Sequence, residues 1–125
     1  IEGNAQFVGG IAGLPRVKTG SVIKNCKNFG NVKGLSGVGG IAGGNRVQVE
    51  TSYCLSTALI NKNTAQIDTK ASECNLVGNT TKTPTDGAVA FGSIIGQLDD
   101  RNGGTIDEDS CGLCDENGKP IDANA

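Results

Sequence analysis

Short apolar stretches, each bounded by glycine or asparagine, recur along most of this chain. Segments such as 21–24 and 46–49 have the alternating character of short β-strands. No long segment has the period of an amphipathic helix, and the best helical candidate, 53–60, is weakened by its β-branched residues. The pattern therefore predicts an all-β chain punctuated by glycine turns.

A hexapeptide repeat specifies the architecture further. The sequence VGGIAG at 8–13 recurs thirty residues later at 38–43, and a third copy reads FGSIIG at 91–96. One such unit cannot bury its own apolar face, whereas stacked units share an interior at a spacing of about 4.8 Å. We predict a short parallel β-helix or β-solenoid of about three glycine-punctuated rungs with an irregular insertion. The alternative is a small antiparallel β-sandwich.

A second block of the repeat follows each hexapeptide. The sequence CKNFGN at 26–31 is echoed by CNLVGN at 74–79 and, loosely, by CGLC at 111–114. This alignment predicts one domain over 1–125, with repeats at about 7–37, 38–79 and 88–118, an insertion at about 55–73 and a tail at 119–125. The core positions predicted from the two blocks are Val8, Ile11, Ile41, Ile94, Cys26, Cys74 and Cys111.

Composition and charge exclude several classes of protein. The chain has 20 Gly but only three Pro and no G-X-Y period, so it is not collagen-like. It has no His, which excludes catalysis by Ser-His-Asp or Cys-His and an HExxH zinc site. A net charge of −2 gives no footprint for nucleic acid, and no apolar run is long enough to insert in a membrane. The chain begins at Ile1 without any Met, so we expect a fragment or processed product with neighbouring domains in a larger parent chain.

The five cysteines allow three interpretations: core packing, disulfides or a metal. Cys111 and Cys114 have the spacing of a zinc half-site, but a complete site needs two further ligands. The repeat places Cys26, either Cys54 or Cys74, and Cys111 in one column, and Cys114 in the column of Phe29 and Val77. An internal column of small apolar thiols favours packing.

Carboxylates suggest a calcium site near the third repeat. The segment 99–109 is acidic and carries glycine at suitable offsets, but it has Arg101 and Ser110 where an EF-hand loop needs acidic ligands. A solvated loop is the simpler interpretation, and we expect no cofactor. The candidate calcium ligands are Asp99, Asp100, Asp107 and Asp109.

The chain resembles the GLUG-repeat family, named for its G-L-x-G motif. Gly34-Leu35-Ser36-Gly37 is such a motif, and VGGIAG follows it at 38–43. The stretch NCKNFGNV at 25–32 is similar to a second motif of that family. The resemblance implies a non-catalytic repeat module of a large secreted or surface-attached bacterial protein, often an adhesin, and it brings no catalytic residues.

Two functional hypotheses follow. In the first, the chain is not an enzyme and lies at the cell surface or outside the cell, where it spaces domains or binds a host glycan or matrix protein. Its candidate binding residues are exposed column positions, Lys24, Lys27 and Asn28. In the second, it is a fragment of a carbohydrate-active β-helix that uses Asp99, Asp100, Asp107 or Glu108 as acid and base. Only four aromatic residues are present, and we expect the core to take most of them, which weakens a sugar-stacking lectin.

Overall fold

A computed structural model describes residues 1, 6–14, 21–34, 36–62, 69–81 and 91–121 of the chain. Its regular structure in these residues is β-strands and three 3-10 helices, at Ala71–Glu73, Asp100–Asn102 and Glu108–Ser110. Within the described residues, the structure contains no helix with the length and hydropathy needed to cross a membrane. The predicted all-β class is confirmed.

The strands follow one another in turns of a coil. The first turn contains β1 (Gln6–Gly9), β2 (Val22–Lys24), β3 (Lys27–Asn28) and β4 (Val32–Gly34). The second contains β5 (Ser36–Gly39), β6 (Ala42–Asn45), β7 (Gln48–Glu50), β8 (Tyr53–Leu55) and β9 (Ile60–Lys62). After β10 (Val77–Thr80), the third turn contains β11 (Phe91–Gly92), β12 (Ile95–Leu98), β13 (Thr105–Ile106) and β14 (Gly112–Cys114), and β15 (Pro120–Ile121) follows.

Equivalent strands of successive turns pair in parallel. The sheets along the stack have the orders β1-β5-β11, β6-β12-β10, β2-β7-β13, β3-β8-β14-β15 and β4-β9. Among these strand pairs, only β14 with β15 is antiparallel. This is a β-solenoid-like stack, as the hexapeptide repeat predicted, and the antiparallel sandwich is excluded.

The repeated isoleucine forms a column through the stack. The amide of Ile11 donates to the carbonyl of Ile41 at 3.0 Å, and the amide of Ile41 donates to that of Ile94 at 3.0 Å. Ile41 and Ile94 are fully buried, and Val8 is 7% exposed. Ile11 is 50% exposed, so its assignment to the core is wrong. It stands in the outermost described turn, where a neighbouring turn covers one side alone.

Glycine is required at the corners because successive turns approach closely there. A Cβ on Gly40 would overlap the carbonyl oxygen of Ser93 and the sulfur of Cys54. A Cβ on Gly43 would overlap the backbone of Phe7. The glycines of the hexapeptide therefore permit the stacking distance itself, which explains why they repeat with the apolar residues.

The segment before β10 contains a fourth copy of the hexapeptide, and the sequence alignment misassigned it. Val77 lies opposite Ile95, which in turn lies opposite Ala42. The stretch 74–79 therefore stacks on the third hexapeptide and not on 26–31. Because β10 lies beyond the third turn in its sheet, the second repeat does not extend to 79. Its strands end at Lys62.

The predicted cysteine column is also wrong in part. Lys27, Tyr53 and Gly112 share one register position, so the residues before them, Cys26, Ser52 and Cys111, form the column. Cys54 lies opposite Asn28 instead. All five cysteines are free; Cys54 and Cys114 are buried, and the partly buried Cys26, Cys74 and Cys111 pack against the core.

Parts of the sequence predictions lie outside the described residues. They are 15–20 of the first repeat, Leu35 of the G-L-x-G motif, 63–68 of the predicted insertion, 88–90 of the third repeat and 122–125 of the tail.

Candidate functional site

The three predicted binding residues do not share a surface. Lys24 belongs to β2, and its ammonium lies 3.6 Å from the carboxylate of Glu50 on β7. Gln48 also donates to that carboxylate, at 3.0 Å. Lys24 is thus a member of an exposed ion pair that links two turns.

Asn28 faces the interior, which contradicts its assignment to an exposed column. Its side-chain amide donates to the carbonyl of Gly30 at 2.9 Å and accepts from the Gly30 amide at 3.0 Å. The same Nδ2 lies 3.8 Å from the sulfur of buried Cys54. Side chains alternate along a strand, so the residues on either side of Asn28 face outward. Asn28 shapes the corner after β3, and both polar atoms of its side-chain amide are engaged by Gly30.

Of the carboxylates proposed as calcium ligands or catalytic groups, Asp99, Asp100 and Asp107 are engaged in local structure. Asp107 accepts from the amide of Asp109 at 3.2 Å and from the hydroxyl of Ser110 at 3.0 Å, so it caps a 3-10 helix. Thr81 donates to Asp100 at 2.8 Å. Across the described residues, no group of three or more His, Cys, Asp or Glu side chains is placed to hold a metal ion. Glu108 lies in the first turn of the helix that Asp107 caps.

Asp99 is the most buried of these carboxylates, and its partner is Arg46. The Nε atom of Arg46 donates to Asp99 Oδ2 at 2.6 Å, and Asn102 donates to both carboxylate oxygens at 3.0 Å. Burial opposes the charge of Asp99, but the hydrogen bonds from Arg46, Asn102 and Thr81 outweigh it and hold its pKa below the usual range. This cluster ties the second turn to the third.

A different surface brings together side chains suited to binding. Lys27, Tyr53 and Gly112 lie side by side on β3, β8 and β14 and share one register position. They face outward, because the next position along each strand carries the inward residues Asn28 and Cys54. Phe29 follows on the same side and is 47% exposed. We call this surface, with the adjoining turn 115–119, the Tyr53 face.

The turn 115–119 forms a wall at one side of the Tyr53 face. The carboxylate of Asp115 accepts from the amides of Asn117 and Lys119, both at 2.9 Å, which fixes the turn. Gly118, at φ 81°, lies against the ring of Phe29 and the side chain of Lys27. A larger residue at Gly118 would displace both side chains, so the turn and the face are built together.

Cys114 lies two positions after Gly112 on β14, at the register position of Phe29, and is fully buried. Burial raises the pKa of the Cys114 thiol, while the nearby charge of Lys27 acts in the opposite direction. The thiol is therefore held protonated and contributes packing at the Tyr53 face.

The polar groups of the Tyr53 face are free to bind. Among the described residues, neither the Lys27 ammonium nor the Tyr53 hydroxyl has a hydrogen-bond or ion-pair partner. A Cβ built on Gly112 would meet no atom within 4 Å, so the space beside Tyr53 is open. An aromatic ring with a free hydroxyl, an ammonium group and an open neighbouring position can pack on the flat side of a ligand and hydrogen-bond its edge.

Sequence reasoning identified Lys27 but missed the rest of the Tyr53 face. It assigned most of the aromatic residues to the core, whereas Phe29 is exposed and Tyr53 is only half-buried. The column Lys27, Tyr53 and Gly112 has no residue type in common, so no repeat marks it. One signal could have found the face: side chains alternate along a strand, so the residue just before inward-facing Asn28 or Cys54 faces outward.

The fold and the face together define the class of molecule, a short β-solenoid-like stack of parallel strands with Lys27 and Tyr53 on its outer side. A comparison with models of known protein families, with curated proteins and with solved structures found no match for this chain.

Proposed function

We propose that this chain is a non-catalytic repeat module of a bacterial cell-surface or secreted protein, and that it presents the Tyr53 face to a host glycan or matrix protein. The observation that carries the proposal is the unpartnered Lys27 and Tyr53 beside exposed Phe29. The resemblance of 34–43 and 25–32 to GLUG repeats supports the location outside the cell and the neighbouring domains.

The rigidity of the stack supports a role in presentation. Strands β3, β8 and β14 are joined by parallel ladders, so Lys27, Tyr53 and Gly112 keep fixed spacing. Tyrosine offers a large contact area at a small cost in side-chain entropy. Between the two proposed ligands, a glycan suits this surface better, because a sugar ring has an apolar side for Tyr53 and hydroxyl or carboxylate groups for Lys27.

The test is a binding experiment with the 125-residue chain on an array of acidic and neutral glycans and matrix proteins. We expect saturable binding to a small set of glycans. Tyr53→Ala and Lys27→Gln should each weaken it by about tenfold, the loss of one good contact. Gly112→Trp should block it, because the indole would fill the open position beside Tyr53.

Lys24→Gln is the matched control, since it removes the same charge from an exposed lysine in another sheet. It should leave binding within about twofold of the wild type, the effect of a peripheral charge. Unfolding midpoints of all variants show whether the fold is retained. If the chain binds nothing on the array, the ligand-binding proposal fails and a purely structural spacer remains. If it binds but the Lys24 variant is the one that loses affinity, the Tyr53 face is not the site.

A further inference from the structure

The Lys27 ammonium lies at a defined point beside the turn 115–119. A Cβ on Gly118 would lie 3.2 Å from Lys27 Nζ and 3.3 Å from Phe29 Cζ, so the ammonium and the edge of the ring are neighbours. Gly118 follows β14, which β8 separates from the β3 of Lys27 by two interstrand spacings, about 10 Å. The Lys27 side chain and the hairpin turn therefore meet across the second turn of the coil.

This ammonium is a charge without a counterion. In the part of the chain that the structure describes, Lys27 forms no ion pair, whereas Lys24 pairs with Glu50 at 3.6 Å. The carboxylate of the adjoining Asp115 accepts from two backbone amides of its own turn. An ammonium has three donors and no acceptor, so Lys27 has unused capacity for an anionic group of a ligand.

Aromatic rings adjoin the ammonium on the same surface. Tyr53 lies opposite Lys27 on the next strand, and the Phe29 ring is 47% exposed. The apolar side of a sugar ring can pack on such rings. In a uronic acid the carboxylate is attached at the edge of the sugar ring, so one sugar can meet an aromatic ring and the ammonium at the same time.

The other charges of the face favour a ligand with few charges. The turn 115–119 contains Asp115, Glu116 and Lys119, so together with Lys27 the face has no net charge. A densely sulfated polysaccharide would bring several negative charges against the two carboxylates of the turn. A uronic acid brings one carboxylate, which suits the Lys27 ammonium.

The position of the Tyr53 face keeps it accessible however many strands the stack contains. A strand added beside β3 would lie in the plane of the sheet and would widen the face. The side chains of Lys27 and Tyr53 stand away from that plane, so such a strand would not cover them. The occupant of this face is therefore a ligand and not a further turn of the coil.

We propose that the Tyr53 face binds a polysaccharide that contains a uronic acid, with the sugar carboxylate on the Lys27 ammonium and the sugar ring against Tyr53 and Phe29. This inference rests on the proposed function, because it names the ligand class of the same face. Lys27 is then the residue that distinguishes an acidic sugar from its neutral counterpart, whereas the aromatic rings contribute to the binding of both.

The test is a thermodynamic cycle between one side chain and one ligand group. The first ligand is a polysaccharide in which a uronic acid alternates with a neutral sugar. The second is the same polymer after its carboxyl groups have been reduced to hydroxymethyl groups. By titration calorimetry, we expect the wild type to bind the acidic polymer about tenfold more tightly, the effect of one charged hydrogen bond.

The variants assign this preference to a residue. Lys27→Gln should bind both polymers equally, with the affinity that the wild type has for the reduced polymer. Lys24→Gln is the matched control and should keep the tenfold preference, about the same as in the wild type. Tyr53→Ala should weaken binding of both polymers alike, by about tenfold.

The outcomes separate this inference from the proposed function. Equal affinity of the wild type for the two polymers overturns the inference, as does a Lys27→Gln variant that keeps the preference. Tighter binding of a sulfated form of the reduced polymer overturns it as well. In each of these cases, binding that still depends on Tyr53 leaves the proposed function intact. If neither polymer binds while another ligand on the array does, the inference fails alone, and if nothing binds, both fail.

Discussion

Asn25 and Thr51 occupy the same corner of successive turns, and both have a left-handed backbone. The register pairs Lys24 with Glu50, so the residues that follow them are equivalent. Their φ angles are 59° and 49°. Phe7 and Gly37, at φ 60° and 62°, are equivalent in the same way within strands β1 and β5. The stack thus repeats its backbone geometry even where the residue type changes.

This geometry suits asparagine and strains threonine, so exchanging the two residues should have opposite effects. A left-handed backbone costs a β-branched residue about 1–2 kcal/mol, whereas asparagine tolerates it. We expect Thr51→Asn to raise the free energy of unfolding by about 1 kcal/mol and Asn25→Thr to lower it by a similar amount. Urea unfolding measures both. Changes of the same sign in the two variants would contradict the assignment of strain to the corner.

The isoleucine column gives a prediction from identical substitutions at different depths. Ile41→Ala removes a fully buried side chain and should lower the free energy of unfolding by about 2–5 kcal/mol. Ile11→Ala removes a side chain that is 50% exposed and should cost about 1 kcal/mol or less. Urea unfolding measures both losses. Equal losses at the two positions would show that the column is not buried progressively.

The hexapeptides carried most of the information about the fold. Gly40 and Gly43 must be glycine for the turns to approach, and Ile41 must be apolar for the turns to share a core. Sequence identity between copies at these positions therefore reports a physical constraint. The same constraint marks Leu76-Val77-Gly78 as a fourth copy, although its alignment with the cysteine block hid this.

The order of layers could not be predicted from the repeat. A parallel ladder presents the same pattern of donors and acceptors on both edges, so nothing in 74–79 states on which side of the third turn it will lie. The Tyr53 face was hidden for a related reason. Outward positions are free of the packing constraint, so Lys27, Tyr53 and Gly112 can differ while they stand side by side.

The buried carboxylate Asp99 should contribute more stability than the exposed Glu50. We expect Asp99→Asn to lower the free energy of unfolding by about 1–3 kcal/mol, because Arg46 loses a charged partner at 2.6 Å. Glu50→Gln is the control, and it breaks a pair in which the Lys24 side chain is 56% exposed. That change should cost about 0–1 kcal/mol. Urea unfolding at pH 7 compares the two.

The contribution of Asp99 should also depend on pH in a defined direction. Its pKa is lowered in the folded state, so the stabilisation is complete above the unfolded pKa of about 3.9 and is lost as pH falls through the folded pKa. The difference in stability between the wild type and Asp99→Asn should therefore be constant from pH 7 to pH 5 and shrink below pH 4. A difference that grew toward acid pH would contradict the lowered pKa.

Cys54 should make the protein less stable at alkaline pH. Burial raises the pKa of its thiol to about 12, with Asn28 acting against this and the nearby Cys114 and Cys74 adding to it. In the unfolded chain the thiol ionises near about 8.5. Between these values the unfolded state has lost a proton that the folded state keeps, so stability falls with rising pH, by at most about 1.4 kcal/mol per pH unit.

Cys54→Ala isolates this effect from the titration of other groups. The variant should be less stable than the wild type at pH 8, because the substitution leaves a small cavity. This gap in the free energy of unfolding should narrow by pH 10, because the wild type loses stability as its unfolded-state thiol ionises and the variant has no thiol at position 54. Urea unfolding under reducing conditions at the two pH values measures the gap. A gap of unchanged size would mean that the Cys54 thiol ionises as readily in the folded protein as in the unfolded chain, and that the interior beside Gly40 is open to water.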